Sequence, residues 1–252
     1  MADSRQKQYV PGMYAKKRTS MEKMVDQCIR EFEMKKQVEE AKKPAKKGAA
    51  TYHYICFSRK IGVGALEIAD IVGKKIGYKV IDRQVMEYIA GEKLLKSGTL
   101  SGFDEKYSGM ISEFASLLFG EKSFTMGDYL RNVVDSVLKI AETGPTIFVG
   151  RATHLILPRQ DVLAVRIISS REHRIKRVAE ILNVSEKQAA REIDEQDKMQ
   201  RDFFRKNFKK KDASPYEFDM VINRDYITSA KDAAELVRMA FAMKFGDTPV
   251  QG

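Results

Sequence analysis

Ile55-Cys56-Phe57-Ser58-Arg59-Lys60-Ile61-Gly62-Val63-Gly64-Ala65-Leu66-Glu67-Ile68-Ala69 runs from an apolar strand through a glycine turn into an amphipathic helix. Ala65, Ile68, Ala69, Val72 and Ile76 recur on one helical face, the spacing of a helix packed by one side on a sheet. Gly62 and Gly64 let backbone N–H groups approach an anion, and the helix they open aims its positive dipole end at the same point. This is the local architecture of a phosphate site. It departs from the commonest loop of that kind, G-x-x-x-x-G-K-[ST]: Ala65 follows Gly64 where the lysine would stand, and Leu66 where the hydroxyl would. A G-x-G turn also serves tight β-to-α connections with no ligand, so the weight falls on the rest of the chain.

Outward from this stretch, β-rich runs at Tyr54–Phe57, Lys79–Ile81, Thr146–Val149, Val162–Ile168 and Met220–Ile222 alternate with helical patterns. Alternation of this sort predicts an α/β fold, a parallel sheet with helices on both faces. The last helix is expected to pack on it through Ala233, Leu236, Val237, Ala240 and Phe241. Ligands of open parallel sheets bind at the carboxyl ends of the strands, which directs attention to the residues just after each strand. Those are Ser58 and Arg59, Asp82 and Arg83, Gly150 and Arg151, and Ser169, Ser170 and Arg171. Arginines gathered on one rim suit bidentate contact with phosphate.

Between the second and third strands, residues 89–144 form a helical and loop-rich insertion with many glycines and aromatics, placed to cover a second substrate. Beyond the fourth strand, Ser185 and Gln188 make a capping box, and Asp197, Arg201 and Arg205 follow at i, i+4 and i+8, with Phe204 and Phe208 on the adjoining stripe. Either this is a solvated, salt-bridged helix, or it is a lid whose arginines close onto transferring phosphates.

The chain has 252 residues and a formal charge of +10, which draws it to polyanions without choosing among nucleotides, nucleic acids and anionic surfaces. Cys28 and Cys56 suggest no disulfide framework, and His53, His154 and His173 lack metal-ligand spacing, so no metal site is expected from protein ligands alone. Without a long apolar run or a secretory leader, the expectation is a cytoplasmic protein with no membrane association. Residues 1–50 are read as an N-terminal helical extension and linker, and residues 51–248 as the main domain with a lid at about 183–214. Thr19 and Glu22 can cap a helix carrying Met21, Met24, Val25, Cys28, Ile29 and Phe32 on one stripe. Two covers for that stripe stay open: the chain's own domain, or a partner, including a second copy in a homodimer. A basic nucleic-acid arm is disfavoured by the interspersed Glu22, Asp26, Glu31, Glu33, Glu39 and Glu40.

Taken in order, Ser58-Arg59 with Gly62–Ala69, Ile81-Asp82-Arg83, Val149-Gly150-Arg151, the run Arg171–Arg177, Asp197-Lys198 with Arg201, and Asp219–Asn223 resemble the cytidylate kinase-like family, a branch of the P-loop nucleoside monophosphate kinases. The resemblance covers roughly residues 51–245. It implies a three-layer P-loop NTPase-like fold with a helical lid, and ATP-dependent phosphoryl transfer to a nucleotide substrate with Mg²⁺. By resemblance, Ser58, Arg59, Gly62, Val63, Gly64, Ala65, Leu66 and Glu67 hold the ATP phosphates. Asp82, Arg83, Gly150, Arg151 and Asp197 face the acceptor, and Arg59, Arg174, Arg177, Arg201 and Arg205 supply the charge for transfer. The missing lysine, Leu66 and Gln196, where the enzymes tend to have arginine, are departures. They leave a second reading open, a nucleotide sensor that binds without turnover and signals through its N-terminal helix.

Overall fold

In the computed structural model the described residues are 52–88, 128–208, 210 and 212–246, together with helical positions 27, 30, 31 and 34. Most of the predicted insertion, the capping box at Thr19 and the stripe from Met21 to Phe32 lie outside them. Five strands form one sheet: β1 (Tyr54–Arg59), β2 (Lys79–Asp82), β3 (Thr146–Val149), β4 (Val162–Ile168) and β5 (Met220–Asn223). Their order is β2-β3-β1-β4-β5 and every pairing is parallel, with Ile55 opposite both Ile147 and Leu163. The helices are α1 (Ala65–Ile76), α2 (Arg83–Tyr88), α3 (Asp128–Thr143), α4 (Thr153–Ile156), α5 (Arg171–Leu182), α6 (Glu186–Phe208) and α7 (Ala230–Phe245).

Side-chain alternation along β1 divides the core. Ile55 and Phe57 face α1 and α7, packing with Ile68, Val72, Val237 and Phe241, whereas Tyr54 and Cys56 face the opposite layer with Leu130, Val137, Phe204 and Phe208. The result is the expected α/β sheet sandwiched between two helical layers. All five residues of the predicted α1 stripe are buried, but the stripe on α7 needs correction. Ala233, Ala234, Val237 and Phe241 are its buried face, while Leu236 is 39% exposed, because the helix turns about 100° per residue and carries position 236 past the edge of the sheet contact. At the β2 edge, Lys79 Nζ donates to Glu31 Oε2 at 2.8 Å, which brings Glu31 to the chain's own sheet.

A third, smaller cluster joins the glycine turn to the helices beyond β4. Ile61 of the β1–α1 loop packs with Ile175, Val178 and Ala179 of α5 and Ala189 and Ile193 of α6. The α5–α6 hairpin is thereby seated on the glycine loop. Ser185 and Gln188 start α6 with the reciprocal bonds expected of a capping box: Ser185 N–H donates to Gln188 Oε1 at 3.1 Å, and Gln188 N–H to Ser185 Oγ at 3.3 Å.

Candidate functional site

The loop after β1 owes its course to two glycines in the left-handed region, Gly62 (φ 82°) and Gly64 (φ 75°). Gly64 is also the N-cap of α1 and brings no side-chain cap to it, so the first amides of the helix remain available to an anion. The loop is close-packed against α5. A methyl group added at Gly62 would lie 3.0 Å from Val178 Cγ2 and 3.2 Å from the Arg174 carbonyl oxygen. One added at Gly64 would lie 3.0 Å from Arg177 Nη2. Ala65 and Leu66 are buried in the α1 core, so neither offers a polar group to the loop.

Across the rim, β3 ends in three successive residues with positive φ: Gly150 (104°), Arg151 (50°) and Ala152 (54°). Backbone held this way in non-glycine residues costs on the order of 1–3 kcal/mol each and persists where surrounding contacts impose it. Here Gly150 N–H donates to Phe57 O at 2.9 Å, and Thr153 bonds back to Gly150 O through both its amide and its hydroxyl. The turn sends the Arg151 side chain inward, where its guanidinium lies over the Phe203 ring of α6 with Cζ 4.5 Å from the centroid. Burial, then the charges of Arg83 and Arg59, push that guanidinium down to about 9. The Arg59 guanidinium reaches the same turn, its Nη2 3.3 Å from where a Gly150 methyl would stand. Arg59, Arg83 and Arg151, from the ends of three adjacent strands, thus form one positive cluster beside the glycine loop. Asp82, with them, caps α2 by accepting the Val85 N–H at 3.1 Å.

Other expected site residues have different surroundings. Ser58 is buried and accepts from Arg166 Nη1 at 3.4 Å. Arg174 and Asp197 form a buried bidentate pair at 3.0 and 2.9 Å that ties α5 to α6, and Arg174 Nη1 also donates to Ile61 O at 3.4 Å. Gln200 Nε2 donates to Arg59 O at 2.9 Å, a second tie from α6 to the loop. Asp197, Arg201 and Arg205 do not share an inward face: Asp197 is buried with Phe204 and Phe208, while Arg201 and Arg205 are exposed. Steps of four residues drift about 40° each around a helix, whereas a step of seven from Asp197 to Phe204 returns to within about 20°. Arg171 likewise turns outward to a bidentate contact with Asp194 at 3.1 and 2.8 Å, leaving the rim.

Two residues of the site were missed in the sequence. Phe203 sits beneath Arg151, and the buried Arg224 after β5 lies near Arg177 and Glu67. Arg224 follows a strand end, so the rule that selected Arg59 and Arg151 also selects it once β5 is extended through Asn223. Among the described residues, no group of three or more His, Cys, Asp or Glu side chains is arranged to hold a metal ion, and no helix is long and apolar enough to cross a membrane.

A family model described as the cytidylate kinase-like family matches residues 54–226, more than half of the chain. Among solved structures, one of an uncharacterized protein from Eubacterium ventriosum ATCC 27560 superposes with a TM-score of 0.58 at 19% identity, covering 76% of this chain and 98% of that one. A shikimate kinase from Bacteroides thetaiotaomicron gives 0.39 at 11% identity over 76% and 97% of the two chains. A gluconokinase from Sinorhizobium meliloti 1021 gives 0.40 at 10% identity over 77% and 98%. No curated protein matches the sequence.

Proposed function

The chain belongs to the cytidylate kinase-like family, and from that premise we propose that it is a phosphotransferase moving the terminal phosphoryl group of ATP to a nucleoside monophosphate or a related small phosphorylated acceptor. The observation that carries this reading is the gathering of Arg59, Arg83 and Arg151 at three strand ends beside the glycine loop. Buried like charges repel, and a cluster of them is favourable once an anion is bound between them. An acceptor phosphate held there would present an oxygen to the γ-phosphorus of a triphosphate on the loop amides. The new P–O bond forms as the bond to the β,γ-bridging oxygen breaks, and ADP leaves with that electron pair.

Catalysis of this kind is mostly positioning and electrostatic stabilisation, so the charge absent at position 65 has to come from another cation, Arg59, Lys60 or the arginines of the helices beyond β4. Arg59, at the root of the loop and reaching the Gly150 turn, is suited to lie between donor and acceptor. Mg²⁺, which the family implies, finds no hydroxyl at Leu66, so the residues present do not provide the usual ligand.

Incubation of the protein with ATP, Mg²⁺ and a panel of nucleoside monophosphates, with ADP formation and thermal stabilisation measured together, tests the proposal. ADP formation with one acceptor supports the transferase. Ala65 favours the alternative of a sensor that binds nucleotide without turning it over; stabilisation by ATP without ADP under any acceptor would select it. Arg59→Ala is expected to lower kcat by about 10²–10³-fold with an unchanged melting temperature; unaltered turnover would remove Arg59 from the transfer step.

A further inference from the structure

Position 65 has no ammonium group, yet the loop is not without cations. The Arg177 guanidinium, from α5, runs along the backbone at Gly64: Nη2, Cζ and Nε lie 3.0, 3.2 and 3.3 Å from where a methyl group on that residue would stand. Its Nη2 donates to Glu67 Oε2, in the first turn of α1, at 2.7 Å. The pair is partly open, with side-chain exposures of 23% and 33%. Near it, just past β5, lies Arg224, 2% exposed. Arg224 is fixed at both ends, its N–H bonded to Ile168 O and its Nη1 donating to Ile227 O, each at 2.8 Å.

This is a poor design for a purely structural ion pair. Burial and then the neighbouring Arg177 charge depress the Arg224 guanidinium, and Glu67 only partly opposes them. Two guanidiniums and one carboxylate thus lie close to a helix N-terminus that has no side-chain cap. The Nε of Arg177 and the Nε of Arg224, like those of Arg151 and Arg174, are each buried without a hydrogen-bond partner. Excess positive charge, unspent donors and uncapped amides at one point describe a site for a multiply charged anion, with Glu67 holding its place.

Resting on the transferase reading above, we infer that Arg177 contacts the polyphosphate of the donor nucleotide in place of the missing lysine, and that Arg224 is a buried positioning residue whose charge sets the strength of that contact. Glu67 competes with the phosphate for Arg177. A guanidinium at this place could also stack on a purine, so the probes must separate phosphate from base.

Calorimetric titration of the full chain with ATP, inorganic triphosphate and adenosine, at low and high salt, makes that separation. Arg177→Met and Arg224→Met are expected to weaken both ATP and inorganic triphosphate at least tenfold and to flatten the salt dependence. Arg224→Lys should restore most of the affinity, and Glu67→Gln should tighten triphosphate binding several-fold. Arg177→Met and Glu67→Gln alter a partly open pair and keep the test decisive if Arg224→Met does not fold. Undiminished triphosphate binding in Arg177→Met overturns the inference, as does loss of ATP and adenosine with triphosphate retained, which would assign the guanidinium to the base. A wild-type chain that binds neither ATP nor triphosphate overturns it together with the reading beneath it, whereas failure of the variants alone leaves that reading standing.

Discussion

Arg151 is held on left-handed backbone, between an aromatic ring and two other guanidiniums. Its folded pKa of about 9 lies below that of the unfolded chain, so between the two the unfolded state holds more protons and stability rises with pH. Below about pH 9 the cost of the buried charge is fully present, and there a bound anion should relieve it. Phosphate added at neutral pH is therefore expected to raise the melting temperature of the wild type, and to raise that of Arg151→Met much less. Equal shifts in both would show that the anion acts elsewhere. At this scale the sequence was informative wherever the ligand rule concerns backbone order: Arg59, Arg83 and Arg151 stand at or just past strand ends, and Gly62 and Gly64, picked out as the turn, lie at positive φ. It was uninformative where a side chain's company is set by tertiary packing. Nothing local to Phe203 announces that it lies under Arg151, and nothing local to Arg177 places it at Gly64.

Among the elements, the α5–α6 hairpin is the most consequential, because it is fastened to the glycine loop through Ile61, Arg174 and Gln200. The Arg174–Asp197 pair has side-chain exposures of 5% and 10%, so removing the carboxylate leaves a buried cation without its partner. Asp197→Ala is expected to cost about 3–5 kcal/mol, a fall in melting temperature on the order of 10 °C; a change within experimental error would show that the pair is solvated. On α1, Gly73 faces the Tyr78 carbonyl oxygen and Val80 Cγ2, which an added methyl would meet at 2.7 and 2.8 Å. Gly73→Ala should therefore destabilise by about 1–3 kcal/mol, reversing the gain of up to about 1 kcal/mol normally seen for alanine inside a helix. Urea denaturation of the two proteins checks the sign. Helix starts and periodic faces were legible here, as the capping box at Ser185 and the buried face of α1 attest. On α6 the i, i+4, i+8 series did not show that Asp197 is buried while Arg201 and Arg205 are exposed, since successive steps of four wind around a long helix.

For the molecule as a whole, the layout predicts a sensitivity to acid. His154 is buried against Phe218, 3.3 Å from Glu217, and burial lowers its pKa below the ordinary value despite that carboxylate. Burial acts to raise Glu217, but hydrogen bonds from His154 and Lys210, and the Lys210 charge, outweigh it and hold the group at about 2. The unfolded chain takes up a proton at its histidine as pH falls through 6.5, and one at its glutamate as pH falls through 4.5, before the folded state accepts either. Both contributions are lost on acidification, so urea midpoints should fall from pH 7 to 5 and again below 4.5, the second fall being reduced in Glu217→Gln. A flat profile would mean that this cluster titrates identically in both states.

That the sheet would be parallel could be read from strands alternating with helices. Its order could not, because adjacency depends on which crossovers pass over which face and leaves no local trace. The order has a bearing on biosynthesis. β1, the central strand, is translated before both of its neighbours: β3 begins at Thr146 and β4 at Val162. At about 5–20 residues per second, a ribosome holds the apolar Tyr54–Phe57 segment without a pairing partner for several seconds. Until β3 and β4 emerge, the nascent chain carries an adhesive strand with both edges open, and safe passage through that interval depends on dilution or on a chaperone.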